Sequence, residues 1–168
     1  LPFTGDANKE LLKMLSKLDE DRLIPVLENE DIRLLRPQWL LSQPEDYHIE
    51  WRQKLEEREV KGESPSPLLH GAEAVALIRE ASRSVGAITY GWVSAVDADP
   101  TGVRIGILRA VLLENPYLKA LFMDQASLYQ HTSYVARTEA QDVQFGRAYA
   151  DHDIEPSSEP CLLCRSLC

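Results

Sequence analysis

The three cysteines stand close together near the end of the chain, as Cys161-x2-Cys164-x3-Cys168, with His152 a short way before them. Thiolates and an imidazole at such spacing can ligate zinc. They can also hold part of an iron–sulfur cluster that draws a further ligand from elsewhere, and Cys161 with Cys164 could run thiol–disulfide chemistry. The redox reading lacks the strand-before, helix-after setting of a thioredoxin-type motif, and an odd cysteine count closes no disulfide framework. The reading these residues favour is plainer. Leu162, Leu163 and Leu167, with the soft thiols between them, form a small apolar hook for a groove on a partner.

Other residues with chemical potential are dispersed. His48, His70 and His131 share no ligand spacing such as i, i+4 and read as surface or packing residues. Asp19, Glu20, Asp21, Glu28, Glu30 and Asp31 face only Arg22 in their stretch. Carboxylates so clustered can bind calcium, but the loop spacing and central glycine of an EF-hand are missing, and a solvated acidic helix and turn accounts for them. Lys9, Lys13 and Lys17 form a basic stripe that a solvated helix face explains.

These residues belong to a chain of 168, enough for one domain or a domain with an arm. Hydrophobic residues at 44% and charged residues at 27% suit a folded protein. The net charge of −9 and pI near 4.9 argue against nucleic acid as a partner, because phosphate binding draws its affinity from a basic face. The longest apolar runs, such as Ala110–Leu113 and Ala120–Met123, fall far short of a membrane span. Contact with a membrane would therefore be peripheral. The sequence opens at Leu1-Pro2-Phe3 without a methionine, which fits removal of a targeting segment.

The elements expected to position these groups fall into three regions. Residues 1–63 read as a helical docking arm: Leu11, Leu12, Leu15 and Leu18 mark a helix over 7–18, and a charged helix is expected from Glu45 to Val60. Residues 64–150 read as the compact core. There Gly71–Arg83 is expected as a helix with Ala72, Val75, Ala76, Leu77 and Ile78 on its apolar face. Val85–Val93 is a buried strand, and Val103, Ile107 and Val111 with Leu108 and Leu112 form the inner rows of a helix stopped by Asn115-Pro116. Tyr117–Met123 is a second strand, and Thr138 with Gln141 forms a capping box for a last helix carrying Val143, Phe145, Ala148 and Tyr149. Strand, helix, strand at this length predicts a parallel βαβ core with flanking helices, hence a small α/β fold. Residues 151–168 form an irregular tail.

Two segments carry a resemblance. Ala87-Ile88-Thr89-Tyr90-Gly91-Trp92 is the first, and Leu121-Phe122-Met123-Asp124 with Gln130 six residues on is the second, followed by Arg137-Thr138-Glu139-Ala140-Gln141 through Phe145. Over about residues 84–150 they resemble the heterokaryon-incompatibility (HET) domains and their TIR-like relatives, closest in flavour to algal and protist members. The resemblance implies a TIR-related α/β fold, used for self-association in signalling or, in some members, for cleaving NAD with a glutamate. On this chain it implies a site of Tyr90, Trp92 and Gln130 as ligand-binding residues with Asp124 and Glu139 as catalytic ones. Such a site would lie beyond the strand ends, where open parallel sheets bind ligands. The chain departs from the pattern at Gln125, Ala126 and Ser127, between the aspartate and the glutamine.

Two strands give little wall for a reactive pocket. The leading expectation is therefore a non-catalytic peripheral subunit or protein–protein interaction module of a larger assembly. It would need no cofactor and would dock onto other protein subunits through its arm and tail, in an organelle, a plastid by its flavour, or in the cytoplasm. An NAD-cleaving glycohydrolase using Glu139 is one alternative, and a zinc, iron–sulfur or redox protein acting through the terminal cysteines is another.

Overall fold

The computed structural model describes residues 21–80, 83–88, 99–132 and 135–149. A first helix, α1, occupies 21–28, where Leu23, Val26 and Leu27 recur at helical spacing and are buried. It ends at Glu30, whose φ of 54° is the left-handed turn that helices commonly end on. The Glu30 amide donates to Leu27 O at 3.0 Å and the Asp31 amide to Val26 O at 2.9 Å, which satisfies the last carbonyls. The following residues 32–35 are all buried, and Leu35 exchanges backbone hydrogen bonds of 2.8 and 3.0 Å with Leu121.

Next come α2 (Pro37–Ser42), α3 (Arg52–Val60) and α4 (Gly71–Arg79). Pro37 opens α2, where its missing N–H would have had no helical partner. The βαβ unit follows as β1 (Val85–Ile88), α5 (Val103–Glu114) and β2 (Ala120–Met123). Its strands are parallel, with Val85 opposite Ala120 and Ile88 opposite Met123. A short α6 (Asp124–Ser127) leaves β2 directly, and α7 (Glu139–Tyr149) completes the described chain. As expected, Thr138 caps α7: its Oγ1 accepts from the Gln141 amide at 3.3 Å, and Gln141 Oε1 accepts from the Thr138 amide at 3.0 Å.

Side chains of β2 alternate between two apolar cores, as a strand's period of two requires. Ala120 and Phe122 join α1, α4 and Ala148 of α7 on one face, while Leu121 and Met123 join Trp39, Leu55, Ile105, Leu108 and Leu112 on the other. The small α/β fold is thus a two-stranded parallel sheet between helical layers.

Several expectations need correction. Over its described part, 21–63, the expected arm contributes residues to both cores rather than standing apart from them. The acidic stretch is not merely solvated, since Asp31 is 1% exposed. The charged helix begins at Arg52 rather than Glu45, because Tyr47 closes a turn onto Pro44 O and residues 48–51 run extended past α6. Strand β2 begins at Ala120 rather than Tyr117, the part of the first expected strand beyond Ile88 lies outside the described residues, and α4 ends at Arg79 with Ala74, not Ala72 or Ala76, turned inward. On α5 the inner row is Ile105, Leu108 and Leu112, whereas Val103, Ile107 and Val111 face outward. That helix carries apolar residues on its inner and outer faces alike, so they do not set its phase. Anchors at its edges do: Asp99 Oδ2 accepts from the Ile105 amide at 2.9 Å, and Arg109 donates to Gln43 O at 2.8 Å and Pro44 O at 2.6 Å.

Candidate functional site

The carboxyl end of the sheet is where a ligand site would be built. Asp124 opens α6 at the end of β2, and its Oδ1 accepts from the Gln125 amide at 2.7 Å. Its carbonyl accepts from the side chain of Gln130 at 2.8 Å, and the same carboxamide reaches Leu128 O at 3.0 Å. Gln53 of α3 grips Gln130 from outside, donating to its carbonyl at 2.8 Å and accepting from its amide at 3.3 Å. The expected pair Asp124 and Gln130 is therefore brought together, as a closed loop of backbone and carboxamide bonds.

Glu139, the other described residue of that expected site, is not gathered there. Glu139 is exposed in the first turn of α7, a place the helix dipole favours for a carboxylate, and no hydrogen bond or ion pair joins it to Asp124 or Gln130. Tyr90, Trp92, His152, Cys161, Leu162, Leu163, Cys164, Leu167 and Cys168 lie outside the described residues, as do the lysine stripe and the helix expected over 7–18. Among the described residues no group of His, Cys, Asp or Glu is arranged to hold a metal ion. His48, His70 and His131 are exposed.

Beneath the strand ends lies a buried polar cluster that the sequence did not announce. Arg52, 1% exposed, donates through Nη1 to Asp31 O at 2.8 Å and Ser127 O at 3.2 Å, and through Nη2 to Glu30 O at 2.6 Å. Its Nε donates to Glu56 at 2.9 Å, and its guanidinium lies 3.8 Å over the Tyr129 ring. The Tyr129 hydroxyl donates to the same Glu56 oxygen at 3.0 Å. Burial pushes that hydroxyl above the usual phenol range; Arg52 opposes the shift and Glu56 adds to it, so it remains a donor. Arg33, 4% exposed, pairs both Nη atoms with Glu59 and donates to Leu69 O at 3.2 Å. Arg147 of α7 clamps the buried Asp31 through two bonds of 2.9 and 2.6 Å.

Each arginine is paired with carboxylate or carbonyl oxygen inside the fold, as buried charge must be. The cluster ties α3, α6, α7 and the turn after α1 into one unit. Its one visible signal in the sequence was the i, i+4 spacing of Arg52 and Glu56 within a helix read as part of a docking arm. An open cleft of about 400 Å³ lies on its outer side, lined by Gln53, Glu56, Glu57, Val60, Lys61 and Gln141. Gln125, which departs from the HET-like pattern, is buried and donates to Ile49 O at 2.9 Å, while its Oε1 has no partner among the described residues.

Apolar side chains are exposed elsewhere, chiefly on α5. Val103 is 60% exposed, Ile107 61% and Val111 42%, with Leu113 and Tyr117 beyond them. No helix among the described residues is long and apolar enough to cross a membrane. No protein-family model matches the chain, nor does any curated protein or solved structure.

Proposed function

We propose that this chain is a non-catalytic protein-interaction module, a peripheral piece of a larger assembly, built on a small HET/TIR-like βαβ core. The observation that carries the reading is the apolar row on the outside of α5, where Val103, Ile107 and Val111 are all more than two-fifths exposed. A helix that is apolar on its outer as well as its inner face is normally covered by something. The polar groups at the strand ends support the same reading, since Asp124 and Gln130 are engaged in holding α6 against α3. An NAD-cleaving site at Glu139 has no comparable support, because no hydrogen bond or ion pair joins that exposed carboxylate to Asp124 or Gln130.

The test places a photo-crosslinking residue at Ile107 in the full chain inside cells. A discrete protein adduct, lost when Val103 and Val111 are both changed to Asp, is the expected result. No adduct would overturn the reading. So would nicotinamide release from NAD by the purified protein that disappears in Glu139→Gln.

A further inference from the structure

Strand β1 has one edge in the ladder with β2 and another that no described backbone group occupies. The parallel pairing, with the Ala120 amide on Ser84 O at 3.1 Å, turns the backbone groups of Gly86 and Ile88 toward β2. Those of Val85 and Ala87 therefore point outward. The opposite side of the sheet is closed, because Leu35 takes the outer edge of β2. Natural sheets guard an open edge with charge, proline or a bulge. Val85-Gly86-Ala87-Ile88 has no charge and no proline, and all four residues are half-buried rather than exposed.

We propose that a second copy of this chain covers this edge, with β1 antiparallel to its twin about a two-fold axis at Gly86. This partner is named because the edge is complementary to itself. With Gly86 facing Gly86 of the second copy, Val85 stands opposite Ala87 of the second copy and Ala87 opposite its Val85. Both are hydrogen-bonded pairs, giving four backbone bonds from the outward-facing groups. The glycines then occupy the close, non-bonded position, where Cα atoms approach to about 4.5 Å and side chains would crowd.

The same axis disposes of the exposed row on α5. That helix packs over both strands, sharing a core with Ile88, Leu121 and Met123. Arg109 faces α2, bonded to Gln43 O and Pro44 O, and α2 lies on the side of the sheet away from β1. At 100° per residue Val111 is on the flank opposite Arg109, so Val111, with Ile107 beside it, turns toward the open side of β1. Strands spaced at about 4.8 Å, with α5 half a spacing inside β1 and the axis half a spacing outside it, place the two α5 axes about 10 Å apart. That is the distance at which helices pack. The helices run antiparallel, so their dipoles oppose, and Arg104 near one end lies toward Glu114 at the end of the other copy.

The inference rests on the interaction reading above and can fail without it. The test is analytical ultracentrifugation of the purified full chain over a wide concentration range, for the native sequence, Ala87→Pro and Ile107→Asp. Proline at position 87 removes an outward N–H and leaves the β2 ladder intact. Ile107 is exposed, so its replacement leaves the cores untouched. A reversible dimer is expected, and each variant should weaken it about tenfold or more. A monomer at every concentration, or a dimer that neither variant weakens, overturns the proposal. If the purified chain is monomeric while the Ile107 crosslink captures a different protein, the interaction reading stands and the two-fold pairing falls.

Discussion

Arg52→Met is the substitution to which the fold should be most sensitive at a single side chain. Methionine keeps the helix propensity and much of the apolar stem, so the change isolates the guanidinium. Its removal leaves Asp31 O and Glu30 O without the donors they have at 2.8 and 2.6 Å, and takes the cation from above Tyr129. Two relieving factors limit the loss. Ser127 O keeps the Arg33 amide at 3.1 Å, and Glu56 keeps the Tyr129 hydroxyl and is 25% exposed. Breaking a buried, hydrogen-bonded charge on one side costs about 3–5 kcal/mol, a large share of the roughly 5–15 kcal/mol that holds a domain together. With a urea slope of about 1–3 kcal/mol per molar, the unfolding midpoint should fall by roughly 2 M at unchanged slope. Arg52→Lys should recover less than half of this, because an ammonium cannot reach Glu56 and three backbone carbonyls at once. Equilibrium urea unfolding followed by circular dichroism checks both variants. A loss under about 1 kcal/mol for Arg52→Met, or full rescue by lysine, would refute the claim that the planar fork organises this cluster.

Gly71→Ala should destabilise by about 1–3 kcal/mol in thermal unfolding, because a Cβ there would stand 2.4 Å from Leu27 O, a backbone atom that cannot step aside. Helix propensity alone predicts the opposite sign, so a neutral or stabilised variant would refute the close approach of α4 to α1. The carboxyls of Glu30, Glu63 and Glu73 are all held below the usual carboxylate range. For Glu30, burial pushes upward but is outweighed by the Gly71 amide, Arg33 and His70. Depressed carboxylates contribute stability that is present above the unfolded value and lost as pH falls through the folded one. Stability should therefore drop below about pH 4.5, and Glu30→Gln should flatten that limb in pH-dependent urea unfolding; an unchanged slope would count against it.

The parts of the fold that could be read from the sequence are those with local causes. The cap at Thr138 and Gln141 needs only its own turn, and the βαβ pattern needs only the apolar runs and the stop at Asn115. What could not be read depends on distant partners. Whether Arg52 is solvated or buried turns on carbonyls of Glu30, Asp31 and Ser127, which no spacing announces. The phase of α5 was misjudged for the same reason, since Val103, Ile107 and Val111 are as apolar as the row that faces inward. Of the candidate site, the bond between the Gln130 carboxamide and the Asp124 carbonyl spans only six residues and is local. Its closure by Gln53 is not, because a glutamine in a charged helix carries no sign of what it will grip.

Parallel strands are ordinarily buried on both faces and rarely stand as a pair. This chain meets the first condition, with helices over each face of β2, and it meets the edge problem on one side by laying residues 32–35 against Leu121. That solution draws the segment after α1 inward, and the buried arginines follow from it. Carbonyls of the turn after α1 and of Ser127 must find donors, and Arg52 supplies them, while Arg33 donates to Leu69 O. Polar groups at the strand ends are thus recruited to hold the edge closed, which leaves them bonded within the fold rather than turned toward a ligand. Among the described residues the opposite edge has no such segment and no such arginines; it has Val85, Ala87 and the outward row of α5. On the proposed reading, the asymmetry between the two edges places recognition on the outer surface of the βαβ unit and structural wiring at the strand ends.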